Sequence, residues 1–218
     1  MKFKRSRAGR RTLGPVTQYA RHAVRRLPAV FWLDAAVKVA LVGLLVLAVL
    51  RPDLPQFEGK AMTGRALTYP LAAVIVPVCW WLWGRARGWS YPYGLDICLV
   101  LPFLIDVVGN ALDLYDSIDW WDDLNHFVNW AILTTAFGLL LIRLPLGRLN
   151  TAALMVGFGA LTAVLWEFAE YFTFIRGGPE EKTAYTDTLG DMALGITGSA
   201  IAALLVATLL WRPTPEAR

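Results

Sequence analysis

Six aspartates and a histidine share the stretch DVVGNALDLYDSIDWWDDLNHF, residues 106–127: Asp106, Asp113, Asp116, Asp119, Asp122, Asp123 and His126, one of only two histidines in the chain. Hydrophobic runs flank the stretch on both sides, and a carboxylate at membrane depth is costly unless it faces protein, water or a cation. Spacing adds to the interest. Asp106, Asn110 and Asp113 stand four and three residues apart and would line one side of a helix over about 10 Å. Asp122 and Asp123 precede His126 by four and three residues, and Asn129 follows by three. The acid-x-x-His pattern of Asp123 and His126 presents an oxygen and a nitrogen ligand from neighbouring turns. Further on, WEFAEYF supplies Glu167 and Glu170, and YTDTLGDM supplies Asp187 and Asp191.

Clustered carboxylates at such depth repel one another unless they are protonated, solvated or neutralised by a cation. The basic residues nearest in sequence are Arg176 and Lys182, in the loop FIRGGPEEKTAYTD. A divalent metal is therefore the expected cofactor, held by Asp123, His126, Glu167, Glu170 and Asp191. His126 doubles as a candidate general base, and Asp187 as a catalytic orienting carboxylate. Many oxygen donors, one imidazole and no nearby cysteine favour magnesium or manganese ahead of zinc. A plainer reading makes Asp116 and Asp119 loop residues and Asp122 and Asp187 helix-start charges. Asp106, Glu167 and Asp191 fit that reading least, because each lies in apolar surroundings. Three functions stay open on these residues: a metal-dependent enzyme acting on a lipid or lipid-linked phosphate, a proton or cation path along Asp106 to Asp113, and a non-catalytic scaffold. Trp120, Trp121, Trp130 and Trp166 suit either an interfacial belt or a wall for an isoprenoid or acyl tail.

The elements that carry these residues are hydrophobic blocks. Of 218 residues, 56% are hydrophobic and 17% charged, and the mean hydropathy is +0.47, a composition outside the soluble range. Six blocks of membrane-spanning length fall near 30–50, 67–83, 93–114, 123–142, 149–174 and 188–211. The expected fold is all-α: a polytopic six-transmembrane-helix bundle over 30–218, preceded over 1–29 by a basic cytoplasmic arm and an interfacial amphipathic helix near 16–27. Residues 1–11 hold six basic residues and no acid. In front of a membrane block such an arm suits anionic lipid headgroups better than nucleic acid, and no nucleic-acid partner is expected. Asp34 and Lys38, four apart in the first block, are placed to pair, with the lysine snorkelling. With a cytoplasmic amino end, the inner loops and ends carry 15 Lys and Arg and the outer loops five. Both termini are therefore expected inside and the acid-bearing helix ends outside. Cys79 and Cys98 lie inside blocks and form no CxxC, and the chain carries no nucleotide, haem or serine-nucleophile signature.

Taken in order, D-x-x-x-N, D-L-x-H-F, W-E-F-A-E and D-T-L-G-D-M-x-x-x-x-x-G resemble bacterial inner-membrane proteins of the YjdF type. More distantly they resemble the VanZ-like family associated with glycopeptide resistance. The likeness covers about 93–209 and places Asp123, His126, Glu167, Glu170, Asp187 and Asp191 at matching positions. It implies a compact multispan protein of the bacterial inner membrane.

Overall fold

The computed structural model describes residues 27–212. Seven α-helices are found there: α1 (Ala29–Leu50), α2 (Met62–Cys79), α3 (Tyr93–Ala111), the short α4 (Leu114–Ser117), α5 (Trp121–Leu141), α6 (Arg148–Glu170) and α7 (Ala184–Leu205). Wider π-helical turns extend α2, α6 and α7 through Trp80–Gly84, Tyr171–Ile175 and Val206–Leu210. With these extensions, six helices are long and apolar enough to cross a membrane, all but α4. The first of the six is α1 itself; the interfacial helix expected over 16–27 lies outside the described residues.

The helices bury narrow stripes and leave the rest apolar, as lipid-facing helices do. On α1 the buried residues are Asp34, Val37, Leu41, Leu45 and Ala48, one stripe at helical spacing. Trp32, Val39 and Leu50 point away from the protein and are exposed. Within that stripe Lys38 pairs with Asp34 at 3.1 Å, as the spacing predicts, but instead of snorkelling it also reaches Asp96 of α3.

Packing divides the chain into two sets of three. α3 lies against α1 and α2, α7 lies against α5 and α6, and the principal contact between the sets is α3 on α5. The α5–α7 contact is tight because α7 is small where it crosses: Gly195 receives the Trp130 ring, and Gly198 rests on the Phe127 carbonyl. Thr134 donates a 2.9 Å hydrogen bond to Ser199 across the same interface, with both side chains fully buried.

One boundary departs from the sequence expectation with a functional result. The third span ends at Ala111 rather than near 114, because Asp113 takes a left-handed conformation with φ of 59°. Its amide donates to the Asn110 carbonyl and its own carbonyl accepts from Ser117, which turns the chain into α4. Asp113 is thereby exposed and leaves the face that Asp106 and Asn110 share.

Candidate metal centre

The first two turns of α5 begin the site. Asp122, Asn125, His126 and Asn129 share one inward face, fixed by Asn125 donating to the Trp121 carbonyl at 2.8 Å and Asn129 donating to Asn125 at 3.2 Å. His126 is 5% exposed, and against it come Glu167 of α6 and Asp191 of α7, 3% and 4% exposed. Both nitrogens of the ring look at carboxylates. Nε2 lies 3.8 Å from Asp122 Oδ1 and 3.8 Å from Asp191 Oδ1, and Nδ1 lies 3.6 Å from Glu167 Oε1. Such separations are too long for hydrogen bonds. They lie close to the roughly 3 to 3.5 Å expected between neighbouring ligands each about 2.1 Å from one ion.

Two overlapping groups result, each with donor atoms within 4.8 Å of one another: Asp122, His126 and Asp191, and His126, Glu167 and Glu170. A second observation points the same way. His126 Nδ1 and both Glu167 oxygens are buried with no hydrogen-bond partner, and burying such atoms unsatisfied is costly. The donor set is hard and oxygen-rich with one imidazole, so it fits a divalent cation.

Of the five expected ligands, His126 is common to both groups, Asp191 falls in the first, and Glu167 and Glu170 fall in the second. Asp123 joins neither group; its neighbour Asp122 does, with about half of its side chain still exposed. Asp187, one turn before Asp191, is exposed at the start of α7. Arg176 and Lys182 are exposed too, Arg176 lying 6.0 Å over the Phe172 ring, and neither lines the cavity beside the cluster.

That cavity, about 260 Å³, has an unforeseen second polar wall of Arg65, Tyr69, Asp106 and Tyr115. Arg65 bonds both oxygens of Asp106, at 2.8 and 3.4 Å, and also reaches the Lys60 carbonyl. The hydroxyls of Tyr69 and Tyr115 donate to Asp106 at 2.7 and 3.0 Å. Burial, with the Asp106 carboxylate beside it, pushes the Tyr115 hydroxyl above its ordinary range and keeps it a proton donor. Asp106 is thus the anchor of a hydrogen-bonded ion pair. An acid deep in an apolar block calls for a counter-charge, and Arg65, at the edge of the preceding block, was the sequence signal for it.

These features define a polytopic α-helical membrane protein with a carboxylate–imidazole cluster buried among its spans. The chain belongs to the family described as "Predicted membrane protein (DUF2238)", whose pattern matches residues 31–212. Among curated proteins, an uncharacterised protein of Thermotoga maritima is 31% identical over 121 residues, which is 51% of this chain. The match spans 62% of that relative's length, less than two thirds of it. No solved structure matches the chain.

Proposed function

We propose that the protein is a metal-dependent membrane enzyme acting on a lipid or lipid-linked phosphate. The single observation that carries this reading is His126, buried between two carboxylate groups with Nδ1 unpartnered. Asp122, His126 Nε2 and Asp191 would hold the cation, magnesium or manganese ahead of zinc. Glu167, sealed from solvent, faces the other ring nitrogen at 3.6 Å, where a small movement of either side chain would let it accept the Nδ1 proton, as outer carboxylates do for metal-bound imidazoles. Such a cation, when bound, supplies charge for phosphate oxygens and acidifies a coordinated water. Glu170, on the cavity wall, would accept a proton from a water attacking phosphorus and pass it to the lipid alcohol oxygen as that P–O bond breaks, and Arg65 and Tyr115 across the same cavity would orient the phosphate. The greasy part of the substrate lies along the apolar remainder of the cavity, Phe103, Leu133 and Phe158.

Closer kinship with the YjdF type, and more distantly with the VanZ-like proteins, belongs to this same proposal, on the motifs around His126, Glu167 and Asp191. So does placement in a bacterial inner membrane with both termini cytoplasmic and the cluster facing outward, which rests on the lysine and arginine bias. The basic arm over 1–11 then meets anionic headgroups of the inner leaflet.

Elemental analysis of the purified chain, after incubation with millimolar manganese or magnesium and removal of free ion, tests the centre. The expected result is a stoichiometric metal that is lost in His126→Ala, Asp122→Asn and Asp191→Asn and kept in Asp123→Asn. In Glu167→Gln, affinity falls by about 10- to 100-fold. A wild-type chain that stays metal-free under these conditions overturns the reading.

A further inference from the structure

A second cavity lies directly below the first. It measures about 460 Å³, is lined mainly by apolar side chains from Ile75 and Cys79 across to Leu140, and reaches Trp83, Trp89 and Arg143 at its far end. Leu133 and Phe158 line both cavities and form the waist between them, where Phe158 stacks on Phe137 with centroids 4.4 Å apart. Side chains of α2 and its extension, α3 and α5 line this crevice, and α6 contributes Phe158. Ile75, Trp83 and Leu140 on its edges are exposed, so in a bilayer it opens sideways into hydrocarbon.

Length decides what fits. From Asp122 to Leu140, α5 rises about 27 Å at about 1.5 Å per residue, nearly the roughly 30 Å of a whole hydrocarbon core. The acyl chain of a phospholipid held at the metal centre ends near mid-bilayer, about 15 Å down. That is the level of Leu133, and it leaves the larger cavity to acyl chains of the surrounding bilayer. A lipid whose chain is longer than one leaflet fills both.

We propose that the crevice binds a long-chain polyprenyl phosphate, with its phosphate at the Asp122–His126–Asp191 centre and its chain running past Leu133 and Phe158 into the cavity beside Trp83 and Trp89. This rests on the reading of the centre as a phosphate site and names the substrate class for it. Arg65 and Tyr115, both bonded to Asp106, border the first cavity beside the carboxylates Asp122 and Glu170, so a cation bound at the centre is what would make this end complementary to a phosphate. The second cavity offers the chain an apolar lining with aromatic side chains.

The test uses the purified full chain in lipid nanodiscs, with manganese present, and follows tryptophan fluorescence on adding a long-chain polyprenyl phosphate, farnesyl phosphate or dipalmitoyl phosphatidic acid. The long chain should bind at least about tenfold more tightly than either competitor. Leu99→Trp fills the lower cavity and Ile75→Trp narrows its exposed rim. Both should bring the long chain down to the farnesyl affinity while metal content, measured in parallel, stays at the wild-type level. Equal affinities across the three lipids overturn the proposal, as does a chain-length preference that survives both tryptophan variants. The matching alcohol without phosphate separates the two readings. If it keeps the chain-length preference in a protein that takes up no metal, the metal centre falls and the chain-binding crevice stands.

Discussion

At the scale of single residues, the exchange of Asp123 for Asp122 follows from helix geometry. At about 100° per residue, Asp122 stands about 40° to one side of His126 and Asp123 about 60° to the other. Either could face inward; the acid-x-x-His spacing singles out Asp123, whereas the structure groups Asp122 with His126 and Asp191. Asn125 and Asn129 carried the deciding signal, since both fall on the Asp122 side, and a polar stripe on a membrane helix turns toward protein. Arg65 was harder to find. Its partner Asp106 lies 41 residues further on, and spacing within one helix says nothing about pairs between helices. The pair is buried and fully hydrogen-bonded, so removing one member strands the other charge. Arg65→Met is expected to lower stability by about 3 kcal/mol, read as a fall in the thermal midpoint in detergent. Arg65→Met combined with Asp106→Asn should cost clearly less than the sum of the two single changes, with a coupling of about 1 kcal/mol or more. Strict additivity would mean that the ion pair contributes nothing.

Whole elements were easier to read than their ends. Block length and hydropathy gave six spans because the bilayer thickness imposes one length on all of them. The third span stops early because of a local choice, the left-handed Asp113, that no hydrophobic pattern encodes. Which small residues make contacts was equally hidden. Gly190 and Gly198 both lie on α7, yet a Cβ on Gly190 would meet nothing within 4 Å, whereas one on Gly198 would press on the Phe127 carbonyl oxygen. A backbone atom cannot rotate away. Gly198→Ala is therefore expected to force α7 away from α5 and to cost about 1–3 kcal/mol, loosening the grip of Asp191 on His126. Gly190→Ala should be neutral or stabilise by up to about 1 kcal/mol through helix propensity. Thermal midpoints of the two variants, measured side by side, check this; equal effects would show that the α5–α7 contact is not set by Gly198.

Across the whole molecule, α3 is the piece whose two buried acids both find their counter-charges earlier in the chain: Lys38 of α1 for Asp96, and Arg65 of α2 for Asp106. That arrangement has a meaning for the order in which the protein is made. When α3 leaves the ribosome, the cations that neutralise it are already in the bilayer, so the first three helices can settle as a unit while synthesis continues. The acids of the second set have no such provision. His126 is made before Glu167 and Asp191, and their mutual burial waits for the last helix, so the nascent second half holds its polar groups open until the end. A chain cut after Leu112 and carrying a reporter at the cut examines both this and the orientation. It should resist alkaline extraction from the membrane and read on the outer side, whereas Lys38→Met with Arg65→Met in the same fragment should make it extractable. Fragments that stay in the membrane equally with or without the two basic residues would mean that α3 is held by hydrophobicity alone. If the order holds, the His126–Glu167–Asp191 cluster is the last thing this chain acquires, and a quality-control protease meeting a stalled molecule would find it as a stable half-protein with that cluster still unassembled.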